Sequence, residues 1–181
     1  MLVLILSCLL VASSNAQGGS KPTPTIQNTC PPGVISTVNE FYLQVVNETC
    51  FNFVVYDRKV YRDASQACKR NGGTLALPKT EDLNDYLADK AYSHYGIDDE
   101  VWIGLNDMKD EHHFVWEDQD ELDWENFAIH HGLNNRWIFK HIQDCVALDP
   151  YDGGWYDYPC DKGLVSSALD SAPKKMFICQ Y

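Results

Sequence analysis

The apolar and polar positions of this chain change period along its length, and each change marks an element. Phe41-Tyr42-Leu43-Gln44-Val45-Val46 is rich in aromatic and β-branched residues, as is Phe51 to Tyr56, so both stretches read as strands. The spacing then becomes helical. Val60, Ala64, Ala67 and Cys68 fall on one face, Asp63 followed by Gln66 three residues on reads as a capping box, and Gly72 reads as the stop. A second helix is expected from Thr80, with Leu83, Tyr86, Leu87 and Ala91 facing inward and Glu81 and Asp82 in the first turn, where negative charge suits the helix dipole. Beyond Asp98 the pattern is extended. Val101 to Leu105 is wholly apolar, as in a strand covered on both faces, and Phe114-Val115-Trp116 is a shorter run of the same kind.

Residues 117–143 have no clear period and hold many Asn, Asp and His residues together with Trp124 and Trp137. An irregular stretch of that length inside a compact domain is usually functional. It leads into Cys145 to Cys160, where Val146, Ala147 and Leu148 read as buried, Asp149-Pro150 and Gly153-Gly154 reverse the chain, and Trp155 returns toward the strand. If Cys145 and Cys160 pair, the loop of about 15 residues adds roughly 3 kcal/mol and holds Asp144 and Asp157 in fixed positions at its edges. Met176 to Cys179 reads as a closing strand. The class implied is α+β.

Composition narrows the setting. A chain of 181 residues, 45% of them apolar, has room for one domain and a leader. Residues 1–16 carry no charge, run through Leu, Val and Ile, and end in Ser13, Ser14, Asn15 and Ala16, which reads as a signal peptide cut after Ala16. The run from Leu2 to Ala12 is too short to span a bilayer of about 30 Å, and no later segment is long and apolar enough. Residues 17–29 read as a flexible arm and 30–181 as the domain. The expected location is therefore secreted and extracellular. Of the seven cysteines, Cys8 leaves with the leader. Cys30, Cys50, Cys68, Cys145, Cys160 and Cys179 remain, an even count that argues for three disulfides, although spacing cannot choose among the fifteen pairings. Asn47-Glu48-Thr49 is an N-glycosylation acceptor. A net charge of −12 repels nucleic acid and anionic membrane and favours cations or basic partners. No GxSxG, HExxH, CxxC or phosphate-binding glycine loop occurs, so no enzyme class is supported.

Ala64-Ser65-Gln66-Ala67-Cys68, Trp102-Ile103-Gly104-Leu105, Trp155 to Cys160 and Phe177-Ile178-Cys179 follow one another at sensible spacing between Cys30 and Tyr181. Taken together they resemble a C-type lectin-like domain in its long form. The resemblance implies two helices flanking antiparallel sheets and a long irregular loop that binds calcium and sugar. It also implies that Cys68 pairs with Cys179, Cys145 with Cys160, and Cys30 with Cys50 in an N-terminal hairpin.

In family members that bind sugar, one calcium is held by Glu-Pro-Asn or Gln-Pro-Asp, a Glu before the second cysteine of the set, and an Asn-Asp pair. Those positions map to Gly132, Leu133 and Asn134, then Gln143, then Tyr156 and Asp157. Of the mapped set only Asp157 is a carboxylate, and calcium affinity follows carboxylate count. The family's proline bond is cis, a form that costs about 2.5–4 kcal/mol before a residue such as Leu133, so the loop is expected to take another path. A neighbouring calcium site maps better, to Asp107, Glu111, Asn135 and Asp144. The expected function is recognition of a glycan or glycoprotein on a microbial or matrix surface, as in innate immune recognition. Asn134, Asn135, Gln143, Asp144, Tyr156 and Asp157 would form the surface, with calcium as cofactor. The alternative is a degenerate member that binds a protein or mineral surface without calcium. The carboxylates from Glu117 to Glu125 suit that alternative, and the pairs His112-His113 and His130-His131 are candidate metal ligands, although adjacent histidines tend to point apart. Trp124, Trp137 and Tyr156 are the aromatics nearest the expected ligand face, with Trp124 read as core packing beneath the loop.

Overall fold

The computed structural model describes residues 22–129, 131–132, 144–161 and 172–181. The signal-peptide reading of residues 1–16, the arm before Pro22, and His130, Leu133, Asn134, Asn135, Trp137 and Gln143 lie outside them. Two short helices open the chain, α1 (Ile26–Thr29) and α2 (Pro32–Ile35). The last part of the stretch read as a flexible arm thus includes a helix, whose Ile26 packs against the small cluster of Cys30, Val34, Leu43 and Cys50. A turn of 3-10 helix (Glu40–Tyr42) precedes β1 (Leu43–Val46), which pairs with the long β2 (Thr49–Lys59). Asn47 and Glu48 link the two strands with φ of 47° and 64°, the left-handed pair that a tight hairpin requires.

Helix α3 (Tyr61–Lys69) starts earlier than the sequence pattern predicts. Its N-cap is Val60, so Asp63 lies in the first turn and makes no cap. The physical reason is Tyr61, which is buried, holds its ring 5.5 Å from that of Trp102, and accepts from Asn106 Nδ2, so the helix must begin where that side chain docks. After β3 (Thr74–Leu75), α4 (Glu81–Asp89) opens on Thr80, whose hydroxyl accepts from the Leu83 N–H as expected. It continues into one turn of π-helix (Lys90–His94).

The remaining strands are β4 (Val101–Asn106), β5 (Val115–Trp116), β6 (Cys145–Leu148), β7 (Trp155–Tyr158) and β8 (Lys175–Gln180). They hydrogen-bond in the order β1-β2-β8-β4-β6-β7, with β3 on β8 and β5 on β4. All the neighbours are antiparallel except β4 and β8, whose parallel register sets Val101 beside Met176 and Trp102 beside Phe177. The antiparallel sheets of the expectation are therefore one network with a parallel joint in its middle. Every residue of β4 is buried, which is why its sequence is a continuous apolar run rather than an alternation.

Disulfides join Cys30 to Cys50, Cys68 to Cys179 and Cys145 to Cys160. The last two lie in one buried cluster with Trp102 and Phe177. Below them sits an ion pair that no motif announces. Lys175, only 5% exposed, places Nζ 2.8 Å from Glu100 Oε2 and 4.0 Å from the centre of the Tyr158 ring, while Tyr158 donates its hydroxyl to Glu100 Oε1 at 2.9 Å. Burial first, then the Glu100 carboxylate, pushes the Tyr158 hydroxyl far above its ordinary range, so it stays a donor. Lys175→Met keeps the apolar stem and strands Glu100. Because Glu100 keeps some contact with water, the expected loss is about 1–3 kcal/mol, below that for a fully buried pair, to be read as a shift of the urea midpoint.

Candidate functional site

The site is built where β4 ends beside the start of β6. Register pairs Asn106 with Cys145, and one step further the Asp107 N–H donates to the Asp144 carbonyl at 3.0 Å, so the two aspartates lie side by side. The chain turns after Asp107 and is closed by the His112 N–H, which donates to Asp107 Oδ2 at 2.9 Å with His112 at φ 68°. That turn brings back Glu111. Ligand atoms of Asp107, Glu111 and His112 come within 4.8 Å of one another, and Glu111 Oε1 lies 3.3 Å from His112 Nδ1. Asp107 is 4% exposed, and its Oδ1 is buried with no hydrogen-bond partner. Burial pushes this carboxyl up to about 6, the His112 bond opposes the rise, and the charges of Asp144 and Glu111 add to it.

Asp107, Glu111 and Asp144 thus share one corner, while of the mapped sugar positions only Gly132, Tyr156 and Asp157 are among the described residues. Tyr156 is half-buried on β7 with its ring 4.8 Å from that of His131. Asp157 is 1% exposed, and both of its oxygens have partners: His131 Nδ1 at 2.5 Å from Oδ1, and the Gly132 N–H at 3.2 Å from Oδ2. Charge patterning does not reveal this, since Asp157 carries the same letter whether it faces water or an imidazole.

The neighbouring candidates resolve into separate partnerships. Glu117 accepts from the Leu75 N–H and meets Lys69, and Asp118 and Asp120 both meet Lys79, so half of the acidic run has cationic partners within the fold. His113 Nε2 lies 3.0 Å from Glu121, His112 beside Glu111, and His131 on Asp157, so the described histidines do not converge on one ion. An open cleft of ≈ 450 Å³ runs alongside, lined among others by His113, Phe114, Leu122 and Trp124.

Trp155 anchors the whole region from below. It is fully buried, and the rings of Trp116, Trp124 and Phe127 meet it nearly perpendicular at 5.7, 5.1 and 5.5 Å. Its Nε1–H donates to Asn84 Oδ1 at 2.8 Å, while Asn84 Nδ2 donates to the Gly153 carbonyl at 3.0 Å. A buried asparagine on α4 therefore supports the hairpin turn and the tryptophan together. The sequence does carry a trace of it: residues 84, 87, 88 and 91 share one helical face, and Asn84 is the polar member of that set.

Comparison with known proteins agrees with this architecture. The model of the lectin C-type domain matches residues 57–166. Lactose-binding lectin l-2 of Anguilla japonica is 30% identical over 88% of this chain and 86% of its own length. Collectin-10 of Gallus gallus is 36% identical over 61% of this chain and 38% of its own length, so the chain spans well under half of that relative. Human lithostathine superposes with a TM-score of 0.64 at 23% identity, covering 91% of this chain and 99% of that one. The carbohydrate-recognition domain of the mouse scavenger receptor C-type lectin gives 0.61 at 22% identity, over 77% and 95%. At that identity the solved structures speak for the fold alone, while the domain match and the eel relative speak for descent. The chain belongs to the C-type lectin domain family.

Proposed function

We propose that this chain is an extracellular carbohydrate-recognition module, and that a calcium ion held by Asp107, Glu111 and Asp144 stabilises its recognition end. The observation that carries the calcium reading is the buried Asp107 Oδ1, an acceptor with no hydrogen-bond partner. An ionised oxygen in that position costs free energy unless a cation or a donor meets it. Calcium takes about six to eight oxygen ligands; Glu111 brings a carboxylate oxygen within 4.8 Å of Asp107, and the charge of Asp144 is also felt there. When bound, calcium supplies the positive charge that these carboxylates otherwise lack. His112 is a nitrogen donor and keeps its place beside Glu111.

The sugar reading is supported by family membership and by the relatives' own names, among them a lactose-binding lectin and a C-type mannose receptor. The described end of the molecule offers Tyr156, His131 and the cleft beside Trp124 as contacts. Asn134, Asn135 and Gln143 remain part of the proposed surface on the strength of the sequence mapping. Extracellular placement is supported by three disulfides, which persist in oxidising compartments. Among the described residues no helix is long and apolar enough to cross a membrane. Asn47 is exposed at the hairpin tip, where an attached glycan would point into water.

Thermal melting in a calcium series tests the ion. At a hundred times its dissociation constant, calcium is expected to add about 2.7 kcal/mol, a rise of several degrees in Tm. Asp107→Asn should abolish that rise. The same substitution should also stabilise the calcium-free protein at neutral pH, and the sign follows from the raised carboxyl. A group held above its unfolded value of about 3.9 stabilises the fold fully only below that value. Its contribution is lost as pH rises through about 6. Asparagine removes that loss, so the calcium-free variant should gain about 1–3 kcal/mol at pH 7 and nothing at pH 4. A calcium-insensitive wild-type Tm would remove the ion from this corner. Retention on immobilised lactose and mannose tests the sugar reading, and an array of microbial and host glycans refines the class.

A further inference from the structure

Among the described residues, the partners of Asp157 do not fit a calcium ion. The carboxylate is buried, and its partners are an imidazole nitrogen and a backbone N–H rather than further oxygens. A calcium ligand must present a lone pair to the ion at about 2.3–2.6 Å, so an ion here would first have to displace His131. That ring is held in place by its own segment. The Ala128 N–H donates to the Trp155 carbonyl and the Trp155 N–H to the Asn126 carbonyl, both at 2.9 Å, tying residues 126–128 to β7. The His131 N–H then donates to the Ala128 carbonyl at 3.0 Å. Gly132 follows at φ 59°, a conformation that favours glycine, and a Cβ there would lie 2.5 Å from the Phe127 ring.

We propose that His131 replaces a cation at this corner, and that the corner meets a hydroxyl-bearing ligand directly, without a metal. Two contacts compete at Nδ1, the Asp157 carboxylate at 2.5 Å and the Asp157 N–H at 3.4 Å. The carboxylate can only accept and is far closer, so it draws the proton to that nitrogen, the arrangement that orients imidazoles for work at the other one. Nε2 is then left as an acceptor. The His131 side chain is 27% exposed, so solvent reaches the ring. Tyr156 packs against it, and Ile129, two residues earlier in the chain, is an aliphatic side chain 84% exposed. An acceptor, a phenol and an aliphatic side chain match the hydroxyls and C–H face of a sugar. His131 is then a specificity-determining residue that the sequence mapping did not include. The nature of the ligand rests on the carbohydrate reading above, whereas the metal-free state of the corner does not.

The test follows the histidine rings by NMR in isotope-labelled protein, with His131→Gln to assign the signal. Calcium at millimolar concentration should leave the His131 ring with its proton on Nδ1 and its resonance in place. Loss of that state on adding calcium would overturn the proposal. Lactose or methyl mannoside, added with chelator present, should move the His131 resonance. His131→Ala should weaken that binding about tenfold, the worth of one hydrogen bond to a ligand, while its Tm response to calcium stays that of the wild type. Sugar binding that chelator abolishes, with the His131 ring unmoved, would overturn the direct contact. If neither sugar moves any resonance, the carbohydrate reading and the hydroxyl ligand fall together, and the calcium arm alone decides whether the corner is metal-free.

Discussion

Trp155→Ala is expected to remove about 3–5 kcal/mol from the stability of the domain. The side chain is fully buried, and three aromatic rings meet it at 5.1–5.7 Å, so no neighbour is placed to fill the space it leaves. The loss has a polar part as well. Asn84 Oδ1 accepts from the indole N–H, and deletion leaves that buried oxygen without its donor, a cost of about 1–3 kcal/mol when no water replaces it. Trp155→Phe separates the two parts. It keeps most of the aromatic packing, loses the hydrogen bond, and should cost about 1–3 kcal/mol. Urea denaturation of both variants with unchanged m-value would give the comparison. A loss below about 1 kcal/mol for the alanine variant would mean that the cluster collapses without it, contrary to the tight cage described here.

The second large effect concerns the covalent links. Cys68–Cys179 and Cys145–Cys160 sit in the same buried cluster, so replacing either pair with alanine removes similar packing. Their loops differ widely, with sequence separations of 111 and 15. Loop-closure entropy therefore predicts losses of about 4.8 and 3 kcal/mol, a difference of about 1.8 kcal/mol that packing does not contribute to. Denaturant midpoints of Cys68→Ala/Cys179→Ala and Cys145→Ala/Cys160→Ala read it directly. Equal losses would show that the unfolded chain is already compact between α3 and β8, so that the long link has little left to constrain.

The strands and both main helices were legible because burial is written in apolar spacing, which one sequence displays. Val101 to Leu105 reads as a doubly covered strand and is one. The side chains that set the site were less legible, because their partners are distant in the chain. Asp157 depends on His131, Glu100 on Lys175, and Trp155 on Asn84, contacts separated by 26, 75 and 71 residues. Letters alone do not reveal such meetings. A misplaced helix start has the same origin: Asp63 and Gln66 satisfy a local rule, while Tyr61 answers to Trp102 and Asn106 across the core. The resemblance located the Asp107 corner by position, and the orphaned oxygen there supplies a physical reason that position alone lacks.

The parallel joint between β4 and β8 bears on how the protein assembles. β8 is the last described strand in sequence, yet it lies between β2 and β4 and also carries β3. The two halves of the sheet therefore have nothing to pair across until that strand arrives. Contacts of such long range make folding slow and leave sheet edges exposed in the meantime. A nascent chain of this kind is a natural client for chaperones, and Cys68 has to wait for its partner Cys179, which arrives on that same strand.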